Sequence, residues 1–337
     1  METQPVAGPA EPIPQGSSLA SRLKRLGTLR ASGLVWVLLA MVVVATLVNP
    51  SFINPINIVN VMRQMALFGI VAIGMTMVIL TAGIDLSVGS VVAVAAVVCA
   101  IMLDAGMPVW SVVLAGLAIG AALGAINGAV ITIGRVPPFI MTLGMMVIGR
   151  GSAMTISGGH PVHFREASAS FAWLGQGTML GLPVPVWVFM LVAAIAYFML
   201  RYTPFGRNLY AVGSNPEAAR LSGINVRLTI FSVYVISGFL AGLTALIMIS
   251  RLTVGEPVVA TGLELEAIAI TVIGGTSLFG GEGSVIGTIL GAAIITVLAN
   301  MLNLFGVSPF TQQIVKGVII VAAVLFETYR RNRNSAK

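Results

Sequence analysis

The chain has 337 residues, 57% of them hydrophobic and only 9% charged, with 18 Lys and Arg against 11 Asp and Glu and a formal charge of +7. Soluble domains carry about 25% charged residues, so this composition excludes an ordinary soluble fold and describes an integral membrane protein. The positive excess does not point to nucleic acid, because the basic residues are scattered at the ends of apolar runs and form no aromatic-interleaved patch.

Residues 1–30 are rich in Pro, Gly, Ser and Ala and then basic at Arg22, Lys24, Arg25 and Arg30, which predicts a flexible cytoplasmic tail. Apolar runs come next at about 31–49, 63–82, 88–105, 109–133, 138–157, 183–200, 229–250, 264–280, 284–305 and 311–328, each near the ~20 residues that cross ~30 Å of hydrocarbon. They are too long and too uniformly apolar for barrel strands. The expected fold is therefore an all-α polytopic bundle of ten spans over 31–328. Six spans precede the polar stretch 201–227 and four come after it, so that stretch and both tails share one side. Arg135, the middle residues Arg201, Arg207, Arg220 and Arg227, and Arg330, Arg331, Arg333 and Lys337 in the basic tail 329–337 mark that side as cytoplasmic. Cys99 lies inside an apolar run and reads as a small packing residue.

The link Gly83-Ile84-Asp85-Leu86-Ser87-Val88-Gly89-Ser90 joins the second and third runs, with Asp85 suited to cap the following span. In the fourth run Gly116, Gly120, Gly124 and Gly128 recur every four residues, a bare stripe that lets helix backbones approach closely in lipid. Asn127 beside it either bonds a neighbouring helix or lines a path for a polar solute. His160 and His163 in the 157–183 loop have no further ligand cluster nearby, so that loop reads as polar and no metal is expected. The link from Gly274 to Ser284 opens on Gly274-Gly275-Thr276-Ser277 and adds Gly280, Gly281 and Gly283; like 83–90, it is either a tight turn or an inner gate. Gly287 and Gly291 followed by Val307-Ser308-Pro309-Phe310 echo Gly120 and Gly124 followed by Val136-Pro137-Pro138-Phe139 on the opposite side, as an inverted repeat would. Gly89-Ser90-Val91 against Gly283-Ser284-Val285 would instead imply a parallel one.

The stretch 201–227 is the longest polar interruption. Asn215 is a good N-cap, Pro216 suits the first turn, Glu217 complements the positive helix end and Gly223 can close the far end in the left-handed conformation. A two-turn helix is marginal in water alone, so it is either a solvated loop with anchoring arginines or a docking element for a soluble partner. Lys24, Lys316 and Lys337 are the only lysines and none stands in a phosphate-cradling loop, which excludes an ATPase of that type. Asp85, Asp104, Glu264, Glu266, Glu282 and Glu327 all fall at or near predicted span ends, where an ion-coupled carrier would keep an acid at mid-membrane. Lys316 and Arg150 are placed to snorkel. No nucleophile and base suggest an enzyme.

A conduit without its own energy source, displaying a docking helix, suggests a partner that hydrolyses ATP. Here the chain resembles the ribose/xylose/arabinose-type permeases of ABC sugar importers, within the branched-chain amino acid/ribose permease superfamily, from about Leu34 to Phe326. The likeness rests on Ala82-Gly83-Ile84-Asp85-Leu86-Ser87-Val88-Gly89-Ser90, on Asn127-Gly128 with Val136-Pro137-Pro138-Phe139-Ile140-Met141-Thr142-Leu143-Gly144, and on Thr203-Pro204-Phe205-Gly206-Arg207. It continues through Ala211-Val212-Gly213-Ser214-Asn215-Pro216-Glu217-Ala218-Ala219-Arg220, Gly274-Gly275-Thr276-Ser277 and Gly306-Val307-Ser308-Pro309.

The resemblance implies a permease of the bacterial inner membrane that pairs with a second permease subunit and receives a monosaccharide from a periplasmic sugar-binding protein. It implies a separate ATPase subunit, commonly with two nucleotide-binding domains, that uses the ATP and Mg, so no cofactor is expected on this chain. Pro204, Phe205, Gly206, Arg207, Asn215, Pro216, Glu217, Ala218, Ala219, Arg220 and Gly223 are expected to couple to that ATPase. Asp85, Ser87, Asn127, Phe139, Thr142, Gly274, Gly275 and Ser277 are expected along the path or its gate. The spans offer few sugar-binding groups beyond Asn127, Thr142 and scattered hydroxyls, so selectivity is expected to lie mostly in the binding protein. The alternative is an ion-coupled secondary transporter of a small polar solute.

Overall fold

Long apolar runs broken by Pro, Gly and Asn become helices capped at those breaks. The computed structural model describes residues 19–164 and 169–335; residues 1–18, 165–168 and 336–337, with Arg165, Glu166 and Lys337 among them, lie outside. In chain order the helices are α1 (Leu19–Val48), α2 (Pro55–Leu80), α3 (Val88–Asp104), α4 (Val109–Thr132), α5 (Pro138–Ser157), α6 (Ala169–Gln176), α7 (Val184–Tyr202), α8 (Pro204–Ser214), α9 (Pro216–Leu221), α10 (Val226–Leu252), α11 (Leu263–Ile273), α12 (Val285–Leu304) and α13 (Pro309–Ser335). Each expected span falls on one helix. Among the described residues six of them, α2, α4, α5, α7, α10 and α12, are long and apolar enough to cross a membrane, and the chain is an all-α multi-pass membrane protein. Helix α1 begins inside the stretch expected as a tail, and α13 runs through most of the expected C-terminal one.

The eighth span is the exception. Expected over 264–280, its helix α11 has 11 residues, about 16 Å at 1.5 Å each, roughly half of the hydrocarbon thickness. It stops at Gly274, and Gly275 then takes φ +86°. A Gly-Gly pair after an apolar run is a helix-stop signal, and it overrides the hydropathy of the remaining stretch to residue 280.

Helix α2 runs through the centre, buried almost continuously from Ala66 to Leu80. Around it stand α7, α10, α11 and α12. The most extensive contact is α4 on α10, where two glycine stripes meet: a Cβ at Gly120 would overlap the Gly238 carbonyl, one at Gly124 the Tyr234 carbonyl, and one at Gly242 the Gly116 carbonyl. Gly128 approaches Phe231, and Gly116 approaches Leu246 and Cys99. In lipid, where no hydrophobic drive separates helix from solvent, such close backbone approach supplies the packing. Cys99 is fully buried at this seam. Gly287 and Gly291 of α12 receive the backbone of α11 in the same way, at Gly274 and Ile270.

Candidate functional site

Two helices occupy the central polar stretch, where the sequence predicts one. Thr203 accepts a hydrogen bond from the Gly206 amide at 3.3 Å with Pro204 in the first turn, and so starts α8. Asn215 ends α8 and opens α9, its Oδ1 accepting from the amides of Glu217 and Ala218 at 3.0 Å each. Both starts use the same pairing of an N-cap with proline, so Thr203-Pro204 was a usable signal for the additional helix. Gly223, at φ +84°, closes α9: its amide bonds the Arg220 carbonyl and that of Ile224 bonds Ala219.

Helix α9 projects. All of its residues except Ala219 are exposed, and Leu221 is 76% exposed. Arg220 Nε donates to Glu217 Oε2 at 3.1 Å across one turn, which holds the Glu217 carboxyl below its ordinary range and the Arg220 guanidinium above its own. Pro204, Phe205 and Arg207 lie in the first turn of α8, and Gly206 packs against the carbonyls that end α7.

Helix α8 does the opposite and embeds itself. Leu209, Val212 and Gly213 are buried, and a Cβ at Gly213 would overlap the Leu80 carbonyl oxygen and stand 2.5 Å from the Gly281 nitrogen. Those two groups are themselves bonded, Gly281 N–H donating to Leu80 O at 3.0 Å. Tyr210 donates its hydroxyl to the Gly283 carbonyl at 2.9 Å, and burial pushes that phenol above its usual range, so it stays protonated. The exposed helix is thereby joined to the end of α2 and to the link that carries Gly274, Gly275 and Ser277. Within that link the Ser277 amide bonds the Glu282 carbonyl, and Ser277 Oγ accepts from the Phe279 amide.

After Leu80 the chain turns back into the bundle without a helix until Val88. Asp85 lies in this link close to the helix ends, as expected, but it is not at the surface: it is 1% exposed. Its Oδ1 accepts from the Ser87 amide at 3.0 Å and the Ser87 hydroxyl at 2.6 Å, and Oδ2 accepts from Ser237 Oγ at 2.9 Å. Asn127 Nδ2 donates to Ser87 Oγ at 2.8 Å, so Asn127 bonds a neighbouring segment, while its Oδ1 and the Tyr234 hydroxyl stay buried without partners among the described residues. Thr142 on α5 donates to the Ile84 carbonyl at 3.1 Å. The path residues thus separate into a buried cluster of Asp85, Ser87, Asn127 and Thr142, joined by hydrogen bonds, and the link 274–277, which shares none of those bonds. Phe139 joins neither and is 53% exposed on α5. Ser237 is the member that sequence reasoning missed; it sits beside Gly238, whose spacing to Gly242 repeats the α4 stripe and was a usable signal.

Glu264 and Glu266 stand in the first turn of α11, at a helix end as expected, and both are partly buried. Glu266 is paired with Lys316, which consequently does not snorkel. Arg150 is held by the Pro257 and Val259 carbonyls, and Glu264 abuts Gly89. His160 and His163 are exposed, and no group of three metal-ligating side chains occurs among the described residues.

Residues 57–324 match the family described as branched-chain amino acid transport system / permease component. The chain is 44% identical over 294 residues to the ribose import permease protein RbsC of Haemophilus influenzae, covering 87% of this chain and 91% of that one. It is 44% identical over 296 residues to RbsC of Escherichia coli K12, with 87% and 92% covered. Against the L-arabinose ABC transporter permease protein AraH of Azospirillum brasilense it is 36% identical over 305 residues, with 90% and 89% covered. No solved structure matches the chain.

Proposed function

Because the chain belongs to the branched-chain amino acid transport system / permease component family, we propose that it is the permease subunit of an ATP-binding-cassette importer that passes a ribose-type pentose or a related monosaccharide across the bacterial inner membrane. In this reading both termini and the α8–α9 unit face the cytoplasm. A separate ATPase subunit grips α9 and uses ATP and Mg, a periplasmic sugar-binding protein delivers the sugar, and a second permease subunit completes the passage. The chain itself is a non-catalytic transport component and holds no cofactor.

One observation carries the assignment of α9 as the grip. It is exposed on nearly every side, yet its partner α8 is seated backbone to backbone on Leu80 and Gly281. A solvated loop has no need of that seat. Replacing Glu217 by Lys should remove the ATPase from the purified complex and abolish uptake while insertion is unchanged; normal uptake would return the segment to a solvated loop.

Asp85 favours a second reading, an ion-coupled carrier, because a buried acid is what such a carrier needs. Against it, the carboxylate already receives three hydrogen bonds from Ser87 and Ser237, which is how a static buried charge is satisfied. Uptake of labelled ribose into proteoliposomes containing the assembled complex decides between them. Transport should require enclosed ATP and survive collapse of the proton gradient; the reverse dependence supports the carrier.

A further inference from the structure

Between α10 and α11 the chain runs from Thr253 to Gly262 without a helix. Val254 and Gly255 pair with Val162 and His163. Gly255 packs against Ala96 and Ala100 of α3, whereas the Ala260 carbonyl lies against Gly89, near the start of that same helix. Between those contacts the segment descends about seven residues of α3, some 10 Å, so it re-enters the bundle and α11 begins inside. Thr261 and Val258 are nevertheless exposed on its flank.

Arg150 faces the same flank. It lies twelve residues into α5, roughly 18 Å from the helix start, and is partly exposed. Its Nη1 donates to the carbonyls of Pro257 at 2.8 Å and Val259 at 3.0 Å, so it is pinned at that depth; among the described residues its other nitrogens make no hydrogen bond. Glu264 interacts with it electrostatically without ion-pair contact. Glu264 Oε1 accepts from the Gly262 amide at 3.2 Å, and Oε2 is buried against Gly89 without a partner among the described residues. Non-helical backbone at membrane depth is tolerated where it is buried in protein or lines a water-filled cavity, not against lipid, and intramembrane charges obey the same rule. A flank that exposes both faces either water or a second protein surface, and the unpaired N–H groups of Arg150 beside the exposed Thr261 suit water.

We propose that Arg150, Thr261 and Glu264 line the translocation passage and form a transient station for sugar hydroxyls part-way across the membrane. The free guanidinium N–H groups donate to a hydroxyl oxygen, and the carboxylate, whose Oε2 is closed over in this conformation, accepts a hydrogen bond from a second hydroxyl once the passage opens, the pairing suited to neighbouring hydroxyls of a polyol. Engagement is weak by design, since a solute that bound tightly here would not leave. This rests on the importer reading and adds to it a place within the chain.

The test uses the complete transporter in proteoliposomes with Cys99→Ala as parent and single cysteines at Thr261→Cys, Val258→Cys and, on the exposed face of α7, Leu191→Cys. A charged methanethiosulfonate reagent should label positions 261 and 258 at least ~10-fold faster than 191, since only the thiolate in water reacts, and ribose-loaded binding protein with ATP should slow that labelling. Equal, slow labelling at 261 and 191 would overturn the passage assignment. Glu264→Gln should lower ribose moved per ATP about tenfold while stimulated ATP hydrolysis is kept; an unchanged ratio would overturn the hydroxyl contact. Failure of the Cys99→Ala parent to move any sugar on ATP would instead count against the importer reading, whichever cysteine labels.

Discussion

Replacing Gly213 by Ala tests the junction on which the functional reading turns. The new methyl would stand 2.5 Å from the Gly281 nitrogen and 3.0 Å from the Leu80 carbonyl carbon, against 3.4 Å for ordinary contact. These neighbours are backbone, so no side chain can yield, and with the Leu80 carbonyl oxygen closer still they must separate by more than ~1 Å. That wedge falls on the Gly281-to-Leu80 hydrogen bond. Overpacking of this kind costs ~1–3 kcal/mol and the lost hydrogen bond ~0.5–1.5, offset by the ~0.5–1 that Ala gains over Gly within a helix. The net is a destabilisation of about 0.5–4 kcal/mol, read as a lower melting temperature in detergent. The caps of α9 are untouched, so the ATPase should still co-purify while ATP-driven uptake falls at least tenfold. Gly317→Ala, with nothing within 4 Å of the added carbon, should be silent in both assays. Wild-type uptake and melting for Gly213→Ala would refute the argument that α8 is seated there, and loss of the ATPase would refute the separation of grip from transmission.

At the buried cluster, Ser237→Ala removes one charge-assisted hydrogen bond from Asp85, worth ~1.5–3 kcal/mol. Asp85→Ala should destabilise more, because it strands the donors of Ser87 and Ser237 together, and Asp85→Asn less; equal melting temperatures for the three would contradict the network. Asp85→Asn should also keep ATP-driven uptake, and its loss in a folded protein would speak for proton carriage. On the exposed helix, the depressed Glu217 carboxyl contributes its ion pair fully above the ordinary carboxylate pKa and loses it as pH falls through the lowered value. ATPase binding should therefore weaken only on acidification into that range, and Glu217→Gln should flatten this part of the profile; an identical acid profile in the variant would assign the loss elsewhere.

What the sequence made legible was set by near neighbours in the chain. Asn215-Pro216 and Gly223 act through bonds two to four residues away, and all three are where their chemistry requires. Apolar runs report burial in lipid or protein alike, so all ten became helices, but hydropathy could not separate a half-helix from a span at 264–280; Gly274-Gly275 could. The burial of Asp85 was missed for a different reason. A polar link reads as a surface turn unless something inside can satisfy it, and the groups that do, Ser237 and Asn127, lie 152 and 40 residues away from the residues they bond. The same holds for Arg150, whose carbonyl partners are more than a hundred residues along the chain.

The two halves of the candidate site share no hydrogen bond but are linked through packed backbone. Helix α9 continues into α8, and α8 rests on Leu80. The segment beyond Leu80 is fixed to α10 by Asp85, to α4 through Ser87 and to α5 through Thr142. Close-packed backbone junctions pass displacement on instead of absorbing it, so a pull on α9 should reach α5, the helix that carries Arg150. Contact alone does not demonstrate coupling, and a double-mutant cycle does. Gly213→Ala and Thr142→Val touch no common partner, so independent sites would add within ~0.3–0.5 kcal/mol when sugar moved per ATP is converted to free energy. A shared element should make the pair non-additive by more than that, the second substitution costing little once the first has disconnected α8. Strict additivity would mean that movement of α9 enters the bundle by another route, through the α11–α12 link held by Tyr210.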